Sequence, residues 1–148
     1  MMAQISIREI KVNTPEYEQV WMLREEVLRK PLGQSLKNDD LSWDIHDHIL
    51  AAFKDDTVVG CVILHPKENG VMKLRQMAVH PSMQGTGVGT LIVKAAEKAA
   101  LEYGFTKIDM HARMVALDFY KKLGYTVTGD VFTEVGIPHV VMEKSLRD

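Results

Sequence analysis

The stretch Val79-His80-Pro81-Ser82-Met83-Gln84-Gly85-Thr86-Gly87-Val88-Gly89-Thr90 carries the most legible chemistry in this chain. Three glycines at alternate positions keep Cβ atoms out of the way, so consecutive backbone N–H groups can close on an anion. An apolar stripe starting at Val88 predicts a helix directly behind the loop. Such a helix adds unpaired N-terminal donors and the positive end of its dipole. Together they would form a pyrophosphate cradle that needs no basic side chain. Nucleotide hydrolysis fits poorly, because Gly89 is followed by Thr90 and the P-loop lysine is missing. Asp109 lies where a dinucleotide fold would place its ribose-binding acid. However, Gly85-x-Gly87-x-Gly89 is not the Gly-x-Gly-x-x-Gly spacing. Val79 to Gly85 is too long for the tight first turn, and too little chain follows Gly89 to complete a doubly wound sheet.

Other residues offer acid, base and charge. Asp109 and His111 fall on one face of a predicted strand, where an acid could orient and tune an imidazole. Glu134 with His139 is a second such pair, and His80 a third option. Arg24, Arg29, Arg75 and Arg113 could hold an anionic group. Of these, Arg29 (before Pro31-Leu32-Gly33) and Arg75 (on a predicted central strand) are the better candidates. His46-x-His48 with Asp44 and Asp47 lacks a third strongly placed ligand, so no metal is expected. Cys61, inside an apolar run, reads as a small core residue and not as an acyl carrier.

The elements that must position these groups fit one domain over residues 1–148. A 46% hydrophobic and 26% charged composition supports an ordinary core, and a net charge of −2 gives no global attraction to nucleic acid or an anionic membrane. The single cysteine excludes an intrachain disulfide framework. No apolar run is long enough to span a bilayer, and Met1-Met2-Ala3-Gln4 lacks a leader pattern, so a cytoplasmic protein is expected. Ile5, Ile7 and Ile10 suggest a strand. Thr14-Pro15 suggests a helix start, with Val20, Leu23 and Val27 spaced helically as far as Arg29 before Pro31 and Gly33 stop it. Residues 34–47 read as a polar surface loop or an irregular second helix. Apolar runs 49–53 and 57–64 flank Lys54-Asp55-Asp56 as an antiparallel hairpin, and 71–79 is a further strand. Leu91, Ile92, Ala95, Ala96 and Ala99 form the expected buried stripe of the helix that Gly104 ends. A strand over 107–112 and a helix over 115–123 follow. On that helix Ala116, Phe119 and Leu123 are the expected buried face, with Tyr120 at its edge. Two more strands close a mixed α/β fold.

Met77-Ala78-Val79-x-Pro81 ahead of Gln84-x-x-Gly87-x-Gly89 resembles motif A of the GNAT superfamily of N-acetyltransferases. Ala116-x-x-Phe119-Tyr120-x-x-Leu123-Gly124-Tyr125 is similar to its motif B. Leu28-Arg29-x-Pro31-Leu32-Gly33 and Phe132-x-Glu134-x-Gly136-Ile137-Pro138-His139 look like a bacterial subgroup of small members. The chain departs from the pattern at Arg113, where many members carry an asparagine seven residues before the tyrosine. The resemblance implies a mainly antiparallel sheet with a splayed strand pair flanked by helices, and acetyl-CoA as acetyl donor. Gln84, Gly85, Thr86, Gly87, Val88, Gly89 and Thr90 would hold its pyrophosphate, and Met77, Ala78 and Val79 its pantetheine arm. A backbone N–H on that strand would also stabilise the oxyanion of the reacting thioester. Tyr120 would be the general acid: a phenol with a pKa of about 10, against about 8.5 for a thiol, stays protonated at neutral pH and can serve the departing thiolate. His111 is the candidate base, with a water relay as its alternative, and Arg29, Arg75, Glu134 and His139 are candidate acceptor contacts. The acceptor would be a small-molecule or peptide amine. A homodimer is compatible with the superfamily, and a non-catalytic acyl-CoA sensor is the alternative function.

The cofactor that the resemblance implies can be tested directly. Acetyl-CoA, and neither NAD nor ATP, should raise the melting temperature, since a ligand of the native state stabilises it. A shift with NAD and none with acetyl-CoA would reverse the ranking.

Overall fold

The computed structural model describes residues 4–147; Met1, Met2 and Ala3, on which the reading of the N-terminus rested, lie outside the described residues. After β1 (Ile5–Ile10), Thr14 and Pro15 start α1 (Pro15–Arg24), the Thr14 hydroxyl accepting the Tyr17 N–H at 3.2 Å. The expected regular helix to Arg29 is interrupted. A π-helical turn (Glu25–Arg29) and a 3₁₀ turn (Lys30–Leu32) follow α1, closed by Gly33 in the left-handed region at φ 70°. The wider π turn rotates Leu28 and Arg29 inward, alongside Val20, Leu23 and Arg24. Residues 34–47 are less of a surface loop than expected. They form two 3₁₀ turns (Leu36–Asn38 and Ser42–Ile45) that bury Leu36, Asp44 and Asp47.

The hairpin β2 (His48–Lys54) and β3 (Thr57–Pro66) forms as expected, and β4 (Val71–Val79) follows it. Leu50, Ala52, Val59, Val62 and Leu64 face one layer, while Ile49, Ala51, Phe53, Cys61 and Ile63 face α1 on the other. Burial on both faces is why these strands read as unbroken apolar runs. The first layer is covered by α2 (Val88–Glu102), which buries Val88, Ile92, Val93, Ala96 and Ala100. The expected stripe is therefore rotated, and Leu91 is exposed. The sheet takes the i, i+4 row that starts at Val88 because the helix begins immediately after Gly87.

After β5 (Lys107–Arg113) and a 3₁₀ turn (Met114–Ala116) comes α3 (Leu117–Lys122). Its buried residue is Tyr120, with Ala116, Phe119 and Leu123 only half-buried, the reverse of the expected arrangement. The Tyr120 ring sits edge-on between Phe119 and Tyr125, with centroids 5.0 and 5.9 Å away, and those contacts draw it into the core. Three strands, not two, close the chain: β6 (Thr126–Val127), β7 (Phe132–Glu134) and β8 (Ile137–Ser145).

The strand order is β1-β2-β3-β4-β5-β8-β6, with β7 also on β8. Every pairing is antiparallel except β4 with β5. That parallel ladder joins only Val71–Leu74 to Lys107–Met110. Beyond it β4 stays with β3, and β5 stays with β8 as far as Arg113 opposite His139. The strands splay, and β4 also bulges. Arg75 faces Ile63 and Ala78 faces Cys61, so Gln76 and Met77 share the place of one residue on β3. Gln76 takes a φ of 55° there. The mixed α/β class, the mainly antiparallel sheet and the splayed pair are all present. Among the described residues no helix is long and apolar enough to cross a membrane.

Candidate active site

The divergence of β4 from β5 opens a cleft of about 740 Å³. Its wall combines the glycine loop, the bulged half of β4, Tyr120, and a polar group formed by Arg29, Arg75, His111, Arg113, Glu134 and His139. Sequence reading named nearly all of these from separate parts of the chain. The fold brings them to one cavity.

In the loop, Gly85 and Gly87 have φ values of 78° and 89°, a region that side chains strain to adopt. A Cβ on either would meet nothing within 4 Å, so the space before the loop is open. The first helical bond of α2 runs from the Leu91 N–H to the Gly87 carbonyl at 3.1 Å. Among the described residues the amides of Gly85, Gly87, Val88, Gly89 and Thr90 have no protein acceptor, which suits an anion. Thr86 differs: its amide and its hydroxyl both bond the Met83 carbonyl. Neither Thr86 nor the buried Val88 side chain lines the cleft. Gln84 braces the loop through a 3.3 Å bond from its amide to the Val79 carbonyl. His80 stands outside the cleft and caps the turn Pro81–Met83 by accepting the Ser82 N–H at 3.1 Å.

Tyr120 lines the cleft, and burial pushes its hydroxyl pKa up to about 12, with the Arg113 charge opposing. It therefore holds its proton at neutral pH. His111 and Asp109 do share a strand face, but they do not pair. Asp109 takes the Lys67 ammonium at 2.5 Å, and the His111 Nδ1 bonds Glu134 at 2.9 Å. Glu134 also approaches the His139 Nε2 at 3.7 Å, and the His139 Nδ1 lies 3.0 Å from the Ile137 carbonyl. The first expected pair thus separates, and His111 joins the second in one His111–Glu134–His139 cluster. The ring of Phe132 packs against both histidines.

The arginines sort differently from the sequence reading. Arg29 is clamped by Asp39 through two bonds of 3.0 and 2.7 Å, and Arg75 reaches Asp44 and Asp47 at 3.2 and 3.1 Å. Both line the cleft with their charge already answered. Arg24 is fully buried, bonding Asp44 at 2.7 Å and the Gln76 side chain at 3.1 Å. Burial by itself would raise the Asp44 carboxyl, but bonds from Tyr17 and Arg24 and the charges of Arg24 and Arg75 hold its pKa below the ordinary value. This network tethers the bulge, and sequence reading missed it. The available signal is Asp44 and Asp47, two carboxylates three residues apart in an otherwise exposed-looking segment. Among the described residues no group of three or more His, Cys, Asp or Glu side chains could hold a metal. Cys61 is buried, and its thiol is pushed up to about 12 by burial, so it supplies no thiolate.

The family model for the acetyltransferase (GNAT) domain matches residues 12–146. The uncharacterised N-acetyltransferase YjcF of Bacillus subtilis (strain 168) is 31% identical over 136 residues, covering 91% of this chain and 96% of YjcF. A Lactobacillus plantarum protein assigned as an N-acetyltransferase superposes with a TM-score of 0.87 at 26% identity, covering 97% of this chain and 99% of that one. A GNAT-family acetyltransferase from Elizabethkingia anophelis, solved with acetyl-CoA bound, shares the fold at a TM-score of 0.72 and 16% identity, over 95% of this chain and 97% of its own.

The buried network can be probed at Asp44. Asp44→Asn leaves Arg24 buried without a countercharge, so stability at neutral pH should fall by about 3 kcal/mol, or about 10 °C in melting temperature. A carboxyl with a lowered folded pKa stabilises fully above its unfolded pKa of about 4 and loses that contribution as pH falls through the folded value. The gap between wild type and variant should therefore narrow in acid. A pH-independent gap in thermal melts would remove the ionic role.

Proposed function

Because this chain belongs to the GNAT acetyltransferase family, we infer that it moves the acetyl group of acetyl-CoA onto a primary amine, both reactants being held together in a ternary complex. The observation that carries this reading is the run of unpaired loop amides opening on the same cleft as Tyr120 and the splayed edge of β4. Acetyl-CoA fits that arrangement as donor. Open space faces Gly85 and Gly87 where a pyrophosphate would lie, and past Leu74 the β4 edge that faces β5 lacks a ladder partner that an amide-bearing arm could replace. Gln84 and the residues from Gly85 to Thr90 bind; Met77, Ala78 and Val79 orient.

The protein groups then divide the proton work. The Tyr120 hydroxyl, kept protonated by burial, serves the thiolate that leaves. With His111 Nδ1–H donated to Glu134, the other ring nitrogen can accept the proton of the amine. Holding both reactants in one cleft supplies much of the acceleration through proximity. The amine comes from a small molecule or a peptide, as in the family. Thiol release from acetyl-CoA across a panel of amines tests the reading; binding of acetyl-CoA without release under any amine would favour the sensor alternative.

Two substitutions separate binding from chemistry. Gly87→Val puts a side chain into the open space before the loop and strains a φ of 89°. Calorimetry should show a strong loss of CoA affinity in a folded protein, and unchanged affinity would remove the cradle. Tyr120→Phe should leave acetyl-CoA affinity nearly unchanged and lower kcat and kcat/KM together by about 100-fold. Unchanged kcat, with product release shown not to limit the wild type, would reduce Tyr120 to packing.

A further inference from the structure

The carbonyl of Leu28 accepts a hydrogen bond from Arg29 Nη1 and another from Arg113 Nη2, each at 3.0 Å. Two guanidiniums therefore converge on one oxygen in the cleft wall. Leu28 belongs to the π-helical turn Glu25–Arg29, near the end of the helical run, where carbonyls lack backbone partners and cations are favoured. The two charges are not equally answered. Asp39 holds Arg29 through both carboxylate oxygens, and Asp44 and Asp47 hold Arg75. Among the described residues, Arg113 alone of the cleft-lining arginines has no carboxylate within ion-pair distance. Glu134, the acid in the same wall, is engaged by His111 and His139. Arg113 is half-buried, and burial together with the charge of Arg29 draws its pKa below the usual guanidinium value. A cation so placed gains from any anion brought to it.

Its position relates it to the acceptor. Arg113 ends β5, two residues past His111 on the same strand face and directly opposite His139 on β8. Resting on the reading of this cleft as an acetyltransferase site, we propose that Arg113 binds an anionic group carried by the acceptor, so that the preferred acceptors are amines bearing their own carboxylate or phosphate. The planar fork of a guanidinium matches either anion. The anchored anion would set the amine near the His111–Glu134–His139 cluster, and Arg29 would add field without adding a contact. Polyamines and other cationic amines are disfavoured by the same charge.

Matched acceptor pairs test this: an α-amino acid against its amide for carboxylate, and phosphoethanolamine against ethanolamine for phosphate. One anionic member should exceed its neutral partner in kcat/KM by about 10-fold or more, and which pair responds identifies the anion. Arg113→Met should erase the preference through acceptor KM, while Arg113→Lys should retain part of it. KM for acetyl-CoA should change less than about 2-fold in both, a split that a bracing role alone would not give. Neutral amines equal to anionic ones, a preference surviving in Arg113→Met, or a rise confined to the acetyl-CoA KM each overturns the proposal. A third arm needs neither a variant nor a known acceptor. Inorganic phosphate or succinate should raise the melting temperature of wild-type protein already saturated with acetyl-CoA, and no further rise overturns the proposal. Failure of acetyl-CoA itself to bind, or absence of thiol release with every amine, counts instead against the acetyltransferase reading.

Discussion

A parallel strand pair that separates after Leu74 and Met110 leaves backbone N–H and C=O groups along both inner edges without ladder partners. Such groups are costly to bury dry, so the gap must be filled by water or by a ligand that carries amides of its own. The candidate site residues are arranged around that gap. The glycine loop continues β4, Tyr120 stands on the short helix that follows β5, and the His111–Glu134–His139 cluster lies where β5 continues beside β8.

Keeping the gap open requires that β4 not follow β5, and two devices act on β4 alone. The bulge at Gln76 and Met77 changes its register against β3, and the positive φ of Gln76 is a conformation that needs external support. Arg24 supplies that support by bonding the Gln76 side chain while paired to Asp44. The pair is fully buried, and Arg24 keeps one guanidinium nitrogen with no partner among the described residues. A buried ion pair with an orphaned donor is an expensive way to gain stability. Its placement under the bulge gives it a positioning role instead. The wider π-helical turn presents Leu28 and Arg29 to the cleft.

Charge in the cleft follows a related logic. Aspartates from the segment 34–47 pair with Arg24, Arg29 and Arg75, and they do so from outside the cavity. The cavity wall itself keeps one engaged glutamate, two histidines and Arg113, which among the described residues has no carboxylate within ion-pair distance. The candidate proton-handling groups thus share a wall with Arg29, Arg75 and Arg113, while the aspartates that answer Arg29 and Arg75 lie behind it. Burial raises the Tyr120 hydroxyl and the Cys61 thiol alike, so the same desolvation that keeps a proton on the phenol keeps the cysteine from forming a thiolate.

Local sequence determined what depends on local backbone chemistry. Gly85, Gly87 and the Val88 helix start were legible because alternate glycines before an apolar stripe have one economical conformation. The Thr14-Pro15 cap, the hairpin across Asp55, the apolar runs of β2 and β3, and the stop at Gly104 were legible for the same reason. The splay entered only through resemblance, and neither it nor the bulge leaves a periodic mark in Val71–Val79. Tertiary structure decided the rest. Whether Tyr120 or Phe119 turns inward depended on Tyr125 and the sheet beneath. Which carboxylate held His111 depended on β7 folding back along β8, bringing Glu134 across from a distant part of the chain. Which arginine stayed free depended on where Asp39, Asp44 and Asp47 came to rest. Hydrogen bonds and ion pairs between residues far apart in the chain have no period or spacing to betray them, because closure of the sheet chooses their partners.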